Sequence, residues 1–95
     1  MHIITRQRLL EYGEKYPTTA SALEHWYRVM KHTDFVSLAD LRVAFPHADQ
    51  VGKLIMFNIA GNKARLITAI HFNTGQVFVR AVLPHPEYDK GKWKE

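Results

Sequence analysis

Residues 54–83 constrain what this chain can fold into more than any other part of it. Three largely apolar runs, Leu54 to Ile59, Ala64 to Phe72 and Gln76 to Leu83, are parted by Gly61-Asn62 and by Asn73-Thr74-Gly75. Runs of this length between turn residues read as three antiparallel strands, and the Gly-Asn dipeptide suits a tight hairpin. Such a sheet has two faces to account for, and at least one of them must be covered by other elements.

The residues before the strands supply that cover. Thr5 is placed to cap a helix starting at Arg6, with Leu9, Leu10 and Tyr12 apolar and Pro17 closing it. Gly13 inside this pattern costs about 1 kcal/mol relative to alanine. Ser21 followed by Glu24 resembles a capping box. It opens a second helix whose Leu23, Trp26, Tyr27 and Met30 fall on one stripe at helical spacing. The stripe contains no basic residue, so Trp26 and Tyr27 are expected in the core rather than stacked on a base. Ser37 and Asp40 start a third, short helix bearing Leu38, Leu41 and Phe45 and stopped before Pro46. His2-Ile3-Ile4 is a candidate edge strand. The expected fold class is α+β, a single domain over residues 1–95 with N-terminal helices packed on one face of a small antiparallel sheet.

Composition narrows the functional classes. With 46% hydrophobic and 23% charged residues, the chain is of globular rather than disordered type. It has no cysteine, which removes disulfide scaffolds, thiol catalysis and cysteine-ligated zinc from consideration and suits a reducing compartment. The N-terminus lacks the apolar run of a signal peptide. No stretch approaches the ~20 apolar residues of a membrane span. A cytoplasmic protein with no membrane partner is the expectation.

The charge of +4 is unevenly spread. Residues 1–50 carry six Lys/Arg and six Asp/Glu, whereas residues 51–95 carry seven against three. From Gln50 to Pro86 there is no carboxylate at all. Strand alternation places Ala64, Leu66, Thr68, Ile70 and Phe72 on the face toward the helices, and Lys63, Arg65, Ile67, Ala69 and His71 on the other. In the last strand, Arg80 is expected to share a face with Gln76, Phe78 and Val82, leaving Val77, Val79, Ala81 and Leu83 for the core. Arg65 and Arg80 then project from the same open side. Two guanidiniums without an acidic partner repel each other and form poor structural glue, but they make a good phosphate clamp. A one-sided basic field of this kind points to a polyanionic partner.

The same residues carry a family likeness. Phe57-Asn58-Ile59, then Gly61-Asn62-Lys63 and Arg65, then Arg80, then His85-Pro86-Glu87-Tyr88-Asp89 resemble the HigB toxins among the RelE-like messenger-RNA interferases of bacterial type II toxin–antitoxin pairs. The likeness covers nearly the whole chain, including His2-Ile3-Ile4 and Phe45-Pro46 to Asp49-Gln50. It implies a compact RelE-like α+β fold that cleaves messenger RNA, commonly on a ribosome, and a neighbouring helix-turn-helix antitoxin (HigA-like) as protein partner. The chain departs from the family pattern at Pro84, where threonine usually precedes the histidine.

Metal-independent RNA cleavage uses the substrate's own 2′-hydroxyl as nucleophile. The protein must take that proton, stabilise charge on the phosphorane and protonate the leaving 5′-oxygen. His85 fits the proton-transfer work, because imidazole titrates near neutrality; a tail histidine bonded to a backbone carbonyl is its other role. Arg65 and Arg80 fit the phosphate. Lys63 fits phosphate binding, a share of the base role if nearby cations lower its pKa, or a plain surface position at the hairpin. Tyr88 is placed either to stack on a base or to pack on the sheet. Lys90 and Lys92, near Trp93, are candidate RNA contacts or a basic end. No cofactor is expected. A non-catalytic RNA-binding module would need the same basic face but not His85. A metal-dependent nuclease is disfavoured because the basic half lacks clustered carboxylates.

Overall fold

The computed structural model describes residues 1–61 and 63–84. Along the chain it runs β1 (His2–Ile4), α1 (Gln7–Lys15), α2 (Pro17–His32), α3 (Leu38–Ala44), β2 (Asp49–Val51), β3 (Leu54–Ile59), β4 (Ala64–His71) and β5 (Gln76–Pro84). The strands form one sheet in the order β1-β5-β4-β3-β2. The helices cover one face of it, which is the α+β layer arrangement expected from the patterning.

Two features of the sheet differ from the expected all-antiparallel meander. First, β1 pairs with β5 in parallel, His2 opposite Gln76 and Ile4 opposite Phe78, so the sheet is mixed. Parallel neighbours need a long crossover, and here all three helices and three strands lie between them. Second, Asp49–Val51 is a strand. It returns onto β3 through Gly52-Lys53, with Asp49 opposite Met56 and Val51 opposite Leu54. Gly52 has φ +59°, a left-handed conformation that costs glycine little.

The helix boundaries show how local signals compete. Thr5 does not cap α1. It sits at φ 72°, unusual for a β-branched residue, and Arg6 occupies the cap position without a side-chain bond. Pro17 stops α1 as expected but also opens α2 at its first turn, where a missing N–H costs nothing. Ser21 and Glu24 therefore lie inside α2, and Glu24 pairs instead with Arg6 at 3.4 Å and Arg28 at 3.8 Å. α3 begins as read: the Ser37 hydroxyl accepts from the Asp40 amide at 3.1 Å, and the Asp40 carboxylate accepts from the Val36 amide at 3.0 Å.

Gly13 has a structural reason. It is buried where α1 crosses α2, and a Cβ built there would lie 3.3 Å from the Ala20 Cβ. Beneath the helices, Leu9, Leu23, Trp26, Met30 and Leu41 meet Ile55, Phe57, Ile59, Leu66, Val77 and Val79 of the sheet. The Phe57 ring is the hinge of this packing, taking Trp26 at 5.4 Å and Phe45 at 5.2 Å in edge-to-face contacts. Thr68 is fully buried and satisfies its hydroxyl by donating to the Ile55 carbonyl at 2.9 Å.

Candidate functional site

β3, β4 and β5 are the inner strands, so their alternation decides what reaches the sheet face away from the helices. On β3, Ile55, Phe57 and Ile59 belong to the core, which leaves Leu54, Met56 and Asn58 on the opposite face. On β4, Ala64 and Leu66 are in the core, and Arg65 and Ile67 face away from it. Asn58 stands directly opposite Arg65, and Met56 opposite Ile67. Met56 and Ile67 are buried although they lie outside the main core cluster. The face away from the helices thus has a buried apolar middle, with the polar Asn58 and Arg65 toward one end.

β5 brings in the second arginine through an irregularity. Thr68 opposes Val79 and Ile67 opposes Ala81, so Arg80 is an extra residue without a cross-strand partner. This is a β-bulge, which bends the strand and re-aims side chains. Val79 is buried in the core, and Arg80, next along, is exposed on the open side as expected. Beyond the bulge the alternation is inverted. Val82 lies opposite Leu66 and packs on the core, while Leu83 lies opposite Arg65 on the open face. The expected assignment of Val82 to the open face, and of Ala81 and Leu83 to the core, is therefore corrected: a bulge adds one residue and flips every side chain after it.

Arg65 and Arg80 thus emerge on one face from adjacent strands. Arg65 is half-buried and donates from Nη1 to the Ala64 carbonyl at 3.1 Å. Arg80 forms no ion pair among the described residues, where the carboxylates in salt bridges are Asp34, Glu24 and Asp49. Lys63 is exposed in the loop 60–63, immediately before Ala64. β5 ends at Pro84, which pairs with Ala64, the residue between Lys63 and Arg65. Lys63, Arg65 and the end of β5 therefore meet at one corner of the sheet, and Arg80 lies farther along β5 at the bulge, level with Ile67 and Thr68. His85, Tyr88, Lys90 and Lys92 lie outside the described residues.

Two polar residues that the sequence reading did not single out for a role stand beside these arginines. Asn58 is exposed beside Arg65, and only the pairing of β3 with β4 reveals it. Arg8 donates from Nη1 to the Arg80 carbonyl at 2.9 Å, a contact between residues 72 apart in sequence. A well-formed concavity lies elsewhere. A cleft of about 510 Å³ between α1 and α2, with Leu9, Leu10, Gly13, Ala20, Leu23 and Tyr27 in its lining, is on the helical layer, away from the cationic corner. Its lining also holds Glu14, Ser21 and an Arg6 already paired with Glu24, so its charge does not favour a phosphate. Among the described residues no three His, Asp or Glu side chains come together as a metal site would need.

An α+β domain with arginines on adjacent strands of the sheet face away from the helices has a form suited to a polyanion. Residues 19–91 match the family model of the HigB toxins, described as the RelE-like toxic component of a toxin–antitoxin system. The chain belongs to this family. It is 40% identical over 93 residues to the mRNA interferase HigB of Escherichia coli O6:H1 (strain CFT073), covering 95% of this chain and 90% of that protein. It is 30% identical over 92 residues to the mRNA interferase toxin HigB of Escherichia coli K12, covering 94% of this chain and 88% of that protein. The mRNA interferase HigB of Shigella flexneri matches to the same extent.

Proposed function

We propose that this chain is a messenger-RNA endoribonuclease, the toxin of a type II pair, acting in the cytoplasm on ribosome-bound transcripts and neutralised by a HigA-like helix-turn-helix antitoxin. The observation that carries the reading is the placement of Arg65 and Arg80 on adjacent strands on the sheet face away from the helices, in a chain whose relatives are named mRNA interferases. In this reading the two guanidiniums hold the scissile phosphate and stabilise the extra negative charge of the phosphorane. Lys63, at the same corner as Arg65, adds attraction for the backbone. His85 follows Pro84, which pairs beside Lys63 and Arg65. It takes the proton from the 2′-hydroxyl or delivers one to the leaving 5′-oxygen. Tyr88 stacks on an adjoining base, and Lys90 and Lys92 extend the contact to RNA. The reaction forms a bond from O2′ to phosphorus and breaks the bond from phosphorus to O5′, leaving a 2′,3′-cyclic phosphate.

The test is His85→Gln, which keeps a hydrogen-bonding side chain and removes the titrating group. It should bind RNA or ribosomes like the parent while losing about a hundred- to ten-thousandfold in cleavage rate. Parental cleavage by this variant would move the proton work to Lys63 or Tyr88. If the parent itself binds RNA and never cleaves it, the chain is a binding module. A 3′-hydroxyl product, or inhibition by chelators, would mean that water is the nucleophile and the proposed mechanism is wrong.

A further inference from the structure

We infer that Arg8 is a positioning residue for Arg80, locking the bulge from which the Arg80 guanidinium is aimed; this rests on the reading of Arg80 as a phosphate ligand. A bulge residue loses its place in the ladder, so its backbone groups need other partners or they leave the strand free to move. At Arg80 the usual supply of partners is missing on the outer side as well. β1 ends at Ile4, opposite Phe78, and the sheet places no other strand beside β5 there. Arg8 fills that position. Its Nη1 donates to the Arg80 carbonyl at 2.9 Å, joining α1 to the bulge across 72 residues of sequence.

The placement of Arg8 in its own helix points the same way. It lies in the first turn of α1, next to Gln7, where the helix dipole disfavours a cation and the first turn holds no acidic residue; Glu11, one turn on, lines the same cavity as Arg8 without forming an ion pair with it. Among the described residues Arg8 makes no ion pair. What its side chain does make is a charge-assisted bond to the backbone of the neighbouring arginine, at the rim of a cavity of about 290 Å³ shared with Lys15, Ala81 and Val82. A single charge-assisted bond from the guanidinium to this carbonyl fixes the backbone at the bulge, which is what a strand bent at its functional residue requires.

The experiment is a double-mutant cycle in the full chain, with Arg8→Ala, Arg80→Ala and the double variant. Single-turnover cleavage and binding are measured on a synthetic messenger RNA, free or on programmed ribosomes, whichever the parent cleaves. Arg8→Ala should lower the rate about tenfold, since small misplacements of a catalytic group are costly, with RNA affinity within about twofold. In the Arg80→Ala background the same change should cost less than about twofold, because the group it positions is gone. Arg8→Gln, a neutral donor, should recover part of the rate. Independent, multiplicative losses, or a loss that falls wholly on affinity and is cured only by Arg8→Lys, would overturn the inference while leaving Arg80 in its role. An Arg80→Ala variant with parental cleavage would overturn both. Should Arg8→Ala fail to fold, Arg8→Met keeps the aliphatic stem without the donor and takes its place in the cycle.

Discussion

Arg65 and Arg80 occupy one face but stand in different surroundings, and their substitutions should separate. Arg80 is exposed and its side chain is in no ion pair among the described residues, so Arg80→Ala should lower cleavage about a hundredfold with the melting temperature unchanged. Arg65 is half-buried and bonded to the Ala64 carbonyl. Arg65→Ala should cost the same in rate plus about 1 kcal/mol of stability, seen as a melting temperature lower by roughly 4–8 °C. Kinetics and thermal unfolding of the two variants check this, and equal rates for variant and parent would remove that arginine from the site. Thr5 offers a second residue-scale test. Its φ of 72° strains a β-branched side chain that is exposed. Thr5→Gly should therefore hold or raise the melting temperature, by up to about 1 kcal/mol in stability. A fall of several degrees in a calorimetric scan would show that the threonine side chain does something the backbone angle conceals.

At the scale of elements, two places depend on close fit rather than on propensity. Gly13 looks like a weak point of α1, yet the helix pair meets there with 3.3 Å from a built Cβ to the Ala20 Cβ. An alanine gains helix propensity and crowds Ala20 by a few tenths of an ångström, two effects of opposite sign. Valine has no such balance. Gly13→Val should destabilise the protein by about 1–3 kcal/mol through overpacking, measurable in urea denaturation; an unchanged midpoint would mean that α1 and α2 can separate freely. The bulge in β5 is the second place. It turns Val82 inward and Leu83 outward, so Ala81 to Pro84 could not be assigned by alternation from Gln76.

Across the whole molecule, the charge excess is sorted by layer as well as by sequence. The ion pairs among the described residues use Glu24, Asp34 and Asp49, all from the neutral first half, and none of them involves Lys63 or Arg80. Binding of RNA through Lys63, Arg65 and Arg80 should then be strongly salt-dependent. For three phosphate contacts to single-stranded RNA the slope of log K against log salt should be about −2. Arg80→Ala should flatten it by about 0.7. Filter binding at several salt concentrations reads both, and a slope near zero would mean that the basic face is not the RNA surface.

What the sequence determined by itself was everything carried by near neighbours. The apolar stripe from Leu23 to Met30, the Ser37 cap and the antiparallel pairing of β3 with β4 each depend on residues close in sequence, and each is found where the pattern puts it. The core-facing set of β4 from Ala64 to Thr68 was legible for the same reason, since alternation is a period of two with no remote input. Tertiary structure decided the rest. Pro17 reads locally as a stop, but packing of α2 from its first turn makes it a start. β1 reads as an edge strand, but its parallel direction is set only by where α1 and α2 return the chain. The bulge at Arg80 and the Arg8 bond that holds it join residues 72 apart. Such a pairing has no local signature, because its free energy comes from surfaces that meet only once the sheet and helices are assembled.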